Sequence, residues 1–347
     1  MRLELDGEPI HTRAQSVRVA LRPDGLLDAQ GSLLDLRTRG FLPVGGSMQG
    51  MGIIHHMELG WLVDPAAGVV RRWTPAQPTV AFEATPETGG ECCRDPIDRL
   101  ASATDLPLGA TLPGALRDRV GGALGCSHLL TLGLFMDAAV RAGLARQPPP
   151  DEGLIGGPPR PVFRRDLVFD AHERASGGPG ASLVVGVRQS DLDWNARDAQ
   201  ALAPERFALH HELVARADVD LWPGSLVSIT GGERRRTADE FATAAWTSRD
   251  ALLAPLAGTP LARGAAGEIM RRLGDAEAAT PWRDALVMLP PALVQCRAAH
   301  PDAWHEKVRA TPRHPGLTAL PDSCYMWRRG GALERIREAQ GAGKGGR

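Results

Sequence analysis

The feature that most constrains the fold is a change in hydrophobic period along the chain. Apolar and polar residues alternate through residues 15–41 and again through residues 54–82, with turn residues between the runs, which predicts antiparallel strands. Residues 96–103, 113–120 and 127–144 instead have apolar positions three and four apart, which predicts helices. The first part of the chain is therefore predicted to be an antiparallel β-meander followed by helices.

The same order of patterns begins again after a proline- and glycine-rich segment. Residues 162–187 resemble the first hairpin, and residues 209–220 resemble residues 54–64. The second copy has no counterpart of Cys93 or Cys126. We therefore predict an α+β fold of two tandem degenerate repeats, each a meander followed by helices, of which one carries the chemistry.

These patterns also define the predicted boundaries. The first unit spans residues 1–147 and bears the site, and a linker spans residues 148–161. The degenerate unit spans residues 162–310, and the segment 311–347 returns Cys324 to the first unit and ends in a disordered tail.

Charge and hydrophobicity argue against several classes of partner. Forty basic residues against 41 acidic ones give a net charge of −1, so there is no electrostatic case for nucleic acid or an anionic membrane. The longest apolar run, after Cys126, is interrupted by Asp137, and the N-terminus lacks the pattern of a secretory signal. We expect a cytoplasmic protein with a small-molecule substrate as its partner, and a homodimer is one possible assembly.

The strongest candidate site is a glycine-rich turn that places Cys126 at the start of an apolar helix. Exposed N–H groups and the positive end of the helix dipole stabilise a thiolate there. A buried cysteine that acts only as a small hydrophobic residue is the alternative, and the glycines before Cys126 favour function. Five cysteines, an odd number, fit reduced thiols, metal ligation or catalysis better than a disulfide framework.

Other metal-type residues can join Cys126. The alternation of the strand places His55 on the inward face, either as a ligand or as a hydrogen-bonded core histidine. Cys93 is preferred over its neighbour Cys92, since only one of two adjacent residues in an extended segment points inward. His128 lies on a different helix face from Cys126, which favours a supporting role.

Thiolates and imidazoles are ligands for zinc and iron. The predicted metal ligands are His55, Cys93, Cys126 and Cys324, and the predicted catalytic residues are Cys126, His55 and His128. His11 is expected at the surface, and Cys296 is expected to be structural.

Several of these residues belong to a recognisable pattern. The elements are Arg22-Pro23-Asp24-Gly25, His55 two residues before Met57, Cys93, Gly121-Gly122 followed by Gly125-Cys126-Ser127-His128-Leu129, and the closing Cys324-Tyr325-Met326-Trp327-Arg328-Arg329-Gly330. This pattern resembles the bacterial domain-of-unknown-function family 2889, over residues 9–145 and 318–333. The resemblance implies a site around Cys126 and names no reaction.

A more remote similarity is to U-type iron–sulfur scaffold proteins, which have a three-stranded meander followed by helices. The resemblance implies a metal-binding role for His55, Cys93 and Cys126, while Ile53 stands where the scaffold has its first cysteine.

The leading hypothesis is a mononuclear iron or zinc site in an enzyme, a lyase or a hydrolase, that acts on a small organic molecule. The glycine- and methionine-rich loop at residues 45–52 is then a candidate wall of the substrate site. One alternative is a metal-free enzyme with Cys126 as nucleophile and His55 or His128 as base. Another is a non-enzymatic scaffold for an iron–sulfur cluster or a metal.

Overall fold

The computed structural model describes residues 3–38, 51–146, 158–174, 182–194, 207–221, 224–237, 239–240, 242–262, 264–299 and 322–342. Three predictions fall on other residues: most of the loop at 45–52, most of the linker at 148–161, and the tail from residue 343 onwards.

Eleven strands of the described chain form one antiparallel sheet. The eight long strands are β1 (Glu8–Leu21), β2 (Leu27–Arg37), β3 (Gly52–Asp64), β4 (Val69–Thr79), β6 (Arg160–Glu173), β7 (Ser182–Trp194), β8 (Phe207–Asp220) and β9 (Ser225–Arg236). Three short strands, β5 (Leu106–Pro107), β10 (Thr247–Ser248) and β11 (Thr259–Pro260), pair with β4 or β9. The strand order is β10-β9-β8-β7-β6-β1-β2-β3-β4-β5, with β11 beside β9.

Eight α-helices lie in the described ranges: α1 (Ile97–Ala101), α2 (Leu112–Val120), α3 (Ser127–Arg146), α4 (Asp250–Leu253), α5 (Ala265–Leu273), α6 (Thr280–Leu286), α7 (Leu289–Ala298) and α8 (Ala332–Ala342). Short 3₁₀ turns cover Gly122–Leu124, Ala254–Leu256, Glu277–Ala279 and Tyr325–Trp327. The predicted mixture of an antiparallel sheet with helices is confirmed.

The centre of the sheet joins the two parts of the chain, because β1 pairs with β2 on one side and with β6 on the other. Both predicted units therefore contribute to one sheet. β1 begins at Glu8, seven residues before the predicted strand, and this extension brings His11 into the sheet.

Alternation along β3 determines which side chains face the core. His55, Met57, Leu59 and Trp61 are all buried, and His56 lies on the opposite face, as predicted. On the inward face, Trp61 of β3 packs against Trp73 of β4 with ring centroids 4.4 Å apart.

α3 covers the inward face and approaches the sheet closely. A Cβ atom on Gly31 of β2 would lie 2.5 Å from Met136 Sδ, and one on Gly143 of α3 would lie 3.0 Å from the Cβ of Phe163 on β6. α3 therefore crosses from the strands of the first part of the chain to those of the second.

By length and composition, α3 is apolar enough over Ser127–Ala145 to cross a membrane, but 56% of its most apolar window is buried inside the protein. Asp137, which interrupts this run, is also buried: it accepts a hydrogen bond from Gly109 N at 2.8 Å and one from Arg141 Nε at 2.9 Å. A core helix has these properties as well, so the apolar length of α3 is weak evidence for a membrane span.

Candidate metal centre

The candidate site is built on a row of three residues across neighbouring strands. Arg13 of β1 is paired in register with Asp35 of β2, which is paired with His55 of β3. Residues directly opposite each other in an antiparallel sheet have Cβ atoms about 5 Å apart and point to the same face. All three side chains are buried, so the row forms a polar strip within the core.

Arg13 and Asp35 form a bidentate ion pair. Arg13 Nε donates to Asp35 Oδ1 at 2.7 Å, and Arg13 Nη2 donates to Oδ2 at 2.8 Å. Burial alone would raise the pKa of Asp35, but the Arg13 charge and contacts with three histidines hold it well below its ordinary value. Asp35 is therefore a carboxylate at neutral pH.

Three imidazole nitrogens surround this carboxylate. His11 Nε2 lies 3.1 Å from Oδ1, while His55 Nδ1 and His128 Nε2 lie 3.3 Å and 3.4 Å from Oδ2. The potential ligand atoms of Asp35, His55 and His128 all lie within 4.8 Å of one another. His11 Nε2 and His55 Nδ1 are buried without a well-aligned hydrogen bond.

His128 reaches the carboxylate from the first turn of α3, where its ring stacks on that of His55. The ring centroids are 3.9 Å apart and the planes differ by 28°. Imidazole lone pairs lie in the ring plane, so the lone pairs of two stacked rings run side by side. For both rings to bind one ion, they must rotate out of the stack.

The protonation state of His128 suits metal binding. Burial, followed by the nearby His55, lowers the pKa of His128 to about 3. Burial also lowers the pKa of His11. His128 is therefore neutral at physiological pH, which is the form that binds metal ions.

Local backbone geometry explains the glycine before Cys126. A Cβ atom on Gly125 would lie 2.2 Å from the backbone oxygen of Val120, so only glycine fits where the turn passes over the end of α2. α3 then begins at Ser127, one residue after the thiol.

The environment of Cys126 differs from the predicted one. Burial raises the pKa of its thiol to about 11, despite the N–H groups of Leu129 and His128 nearby. Gln77 Nε2 donates to Cys126 Sγ at 3.6 Å. The start of the helix therefore does not produce a thiolate at neutral pH, because desolvation of the thiol is the larger effect.

The C-terminal segment brings Cys324 towards Cys126. Tyr325 N donates to the backbone oxygen of Gly125 at 2.8 Å, next to Cys126 in the chain. Burial raises the pKa of Cys93 well above its ordinary value, and the neighbouring thiols Cys126 and Cys324 add to this effect. The three thiols are thus neighbours, but their sulfur atoms are not among the ligand atoms that lie within 4.8 Å of one another.

Further contacts hold the C-terminal segment in place. The rings of Phe82 and Trp327 meet edge to face, with centroids 6.3 Å apart. Arg328 Nη2 lies 2.9 Å from a carboxylate oxygen of Glu91. Because Cys93 N donates to the backbone oxygen of Phe82 at 3.1 Å, these contacts anchor residues 324–328 beside the loop that bears Cys93.

Among the sequence candidates, the structure therefore brings His55 and His128 together, whereas the thiols form a separate group. Sequence reasoning missed Asp35 and Arg13. The prediction that His11 lies at the surface is wrong, since its side chain is 1% exposed within the extended strand β1. Asp35 could have been found from the alternation of β2, which points it inward opposite His55.

Residues 11–141, well under half of the chain, match a family described as a protein of unknown function (DUF2889). This match supports the resemblance to that family. It contains Asp35, His55, Cys126 and His128, and it ends before α7 and Cys324. No curated protein and no solved structure is significantly similar to the chain.

Proposed function

We propose that this protein is a metal-dependent enzyme that holds one iron or zinc ion at Asp35 Oδ2, His55 Nδ1 and His128 Nε2 and acts on a small organic molecule. The observation that carries the proposal is the spacing of these atoms, and rotation of the two rings out of their stack would direct both nitrogens at one ion. Two ligands at about 2.1 Å from an ion, in tetrahedral arrangement, are about 3.4 Å apart. The distances from Asp35 Oδ2 to the two histidine nitrogens are 3.3 Å and 3.4 Å.

The donor set and its surroundings also support the proposal. Two imidazoles and one carboxylate suit zinc or ferrous iron. Arg13 contacts both oxygens of the carboxylate and His11 contacts Oδ1, so the two would fix its orientation, which is the usual role of groups that surround metal ligands. When bound, the ion would supply Lewis acidity to a substrate atom, which fits a hydrolase or a lyase.

The site has a route to solvent through His128. The His128 side chain is 13% exposed, whereas those of Asp35 and His55 are 0% and 7% exposed. We infer that a small substrate approaches from the His128 side, where the remaining coordination positions would face outward.

The thiols remain a second candidate ligand set. The docking of the C-terminal segment beside Gly125 favours this ligand set, because the docked segment places Cys324 next to the turn that carries Cys126. Thiolates would bind a softer ion than the histidine and carboxylate set. The metal-free alternative, with Cys126 as nucleophile, is weakened by the raised pKa of that thiol. Within the described part of the chain, the cysteines are not grouped at metal-ligand spacing as an iron–sulfur scaffold would require.

The test is metal content after purification without a metal-binding tag. We expect about one iron or zinc per wild-type chain by elemental analysis, and almost none in His55→Gln or His128→Gln. His56→Ala is the matched control, because His56 is the next residue of β3 but lies on the other face of the sheet. Full metal content in His128→Gln, or a wild type that takes up neither ion, would refute the proposal.

The Cys126→Ala variant separates the two ligand sets. Under the proposal its metal content is unchanged, since Cys126 lies outside the histidine and carboxylate group. With cobalt as the probe, the thiol set would add intense sulfur-to-metal charge-transfer absorption that is lost in Cys126→Ala.

We also propose that the chain contains an internal duplication with a single metal site. Arg165 of β6 is paired in register with Asp191 of β7, which is paired with His211 of β8. Across three neighbouring strands, this row repeats the arginine, aspartate and histidine of Arg13, Asp35 and His55 in the same order. It differs in that Arg165 also donates to Asp284 of α6, at 2.9 Å. In the second row, a helix therefore brings a carboxylate to the arginine, whereas α3 brings an imidazole to Asp35.

A further inference from the structure

We propose that Gln295, on α7 in the second part of the chain, is a fourth ligand of this ion through its amide oxygen. The inference rests on the proposed function. Its basis is the approach of the Gln295 amide to the proposed ligand atom of His128: the amide nitrogen lies 3.1 Å from His128 Nε2.

Either end of the amide can occupy this position, since a half-turn about the last side-chain bond exchanges oxygen and nitrogen. With nitrogen towards the ring, the amide donates to the same Nε2 lone pair that an ion would use. With oxygen towards the ion, it adds a neutral oxygen ligand of the type that divalent ions accept, and the substrate would take a fifth position on the exposed side of His128. We assign the second orientation to the metal-loaded protein.

The assignment is supported by the spacing between the Gln295 amide and His128 Nε2. Around His128 Nε2, the Gln295 amide lies at 3.1 Å and Asp35 Oδ2 at 3.4 Å. Ligand atoms of one ion are separated by about 3.0–3.5 Å when each is about 2.1 Å from the metal. Gln295 is partly exposed, so its amide can turn without the rearrangement of a packed core.

α7 is held against the site by the next residue as well. Cys296 is 2% exposed, and its Sγ lies 3.7 Å from Nδ1 of His11. Two consecutive residues of α7 therefore contact two different histidines of the site. This anchoring fixes the distance of Gln295 from the metal ligands, although α7 is far from them in sequence.

A simpler role for Gln295 makes the opposite prediction. If it only donates a hydrogen bond to the imidazole of the metal-free protein, an incoming ion must break that bond. Removing the amide would then tighten metal binding. If Gln295 is a ligand, removing the amide weakens binding.

The experiment compares Gln295→Met and Gln295→Glu with the wild type, using Val294→Ala as the control, because Val294 is the neighbouring residue and 47% exposed. Zn²⁺ affinity is measured by competition with a chromophoric chelator, and coordination by the visible absorption of Co²⁺. Loss of an outer-shell partner of a metal ligand costs about 10- to 100-fold in affinity, and loss of a ligand should cost at least as much. Thermal unfolding of each variant verifies that it folds.

We expect Gln295→Met to bind Zn²⁺ at least about tenfold more weakly and to change the Co²⁺ spectrum. Gln295→Glu should bind at least as tightly as the wild type, and Val294→Ala should be unchanged. Equal or tighter binding in Gln295→Met, with the wild-type Co²⁺ spectrum, overturns this inference. If His128→Gln also binds like the wild type, the proposed function itself has failed, so the two failures are distinguishable.

Discussion

Replacement of Arg13 by methionine tests the central ion pair of the site. Both charges lie in the core, with Arg13 1% and Asp35 0% exposed, and two hydrogen bonds of 2.7 Å and 2.8 Å join them. Methionine has an unbranched stem but no charge, so it would leave the buried carboxylate of Asp35 without the cation that is hydrogen-bonded to it. Removing one partner of a buried ion pair costs about 3–5 kcal/mol. We expect a loss of this size in the free energy of unfolding.

The assay is urea unfolding followed by tryptophan fluorescence, since Trp61 and Trp73 are buried in the same sheet and become exposed on unfolding. Arg18→Met is the control, because Arg18 lies on the same strand but is exposed, and it should change stability by less than about 0.5 kcal/mol. In a double-mutant cycle with Asp35→Leu, the double variant should lose much less than the sum of the single losses.

Two results would refute this reasoning. One is a loss below about 1 kcal/mol for Arg13→Met, which is far less than an unpaired buried carboxylate should cost. The other is simple additivity of Arg13→Met and Asp35→Leu, which would mean that the two charges do not stabilise each other. If an ion binds as proposed, added Zn²⁺ should restore part of the stability of Arg13→Met, because the cation offsets the charge of Asp35.

Three other predictions concern the turn, the thiol and the ion. Gly125→Ala should lower the free energy of unfolding by about 3 kcal/mol, the upper end of the usual range for overpacking, because the new Cβ would lie 2.2 Å from the backbone of Val120. Gly114→Ala is the control, because a Cβ there would have no neighbour within 4 Å. In the same urea assay it should be neutral or slightly stabilising. The pKa of Cys126 is raised from 9.0 to about 11, so its contribution to stability is fully present below pH 9 and is lost as the pH rises through 11. That contribution is about 2–3 kcal/mol, and a comparison of urea midpoints between pH 8 and pH 11 should show a smaller alkaline loss in Cys126→Ala than in the wild type. Chelation should lower the stability of the loaded wild type by about 2.7 kcal/mol if the ion is present at 100 times its dissociation constant, and should leave His128→Gln unchanged.

Each of these three predictions has a result that would contradict it. Equal effects of Gly125→Ala and Gly114→Ala would mean that the turn before Cys126 is not tightly packed. An alkaline loss in Cys126→Ala as large as in the wild type would assign that loss to other groups. Chelation that destabilises His128→Gln as much as the wild type would place the ion elsewhere.

The sequence by itself determined the local structure of this protein. Alternation in β3 put His55 on the core face beside Met57, because side chains of a strand point alternately to its two faces. The glycines of the turn and the apolar period after Cys126 predicted the start of α3. These features depend on neighbours within a few positions, so the order of residues is sufficient to predict them.

Only the tertiary structure decided which residues form the site. Asp35 matters because β2 lies between β1 and β3, which places Arg13 and His55 on either side of it. Gln295 is 167 residues from His128 in the chain, yet α7 brings its amide to 3.1 Å from the imidazole. The sequence also suggested a reactive thiol at Cys126, whereas burial raises its pKa. Strand pairing, helix docking and desolvation depend on the packing of the whole chain, and no local pattern encodes them.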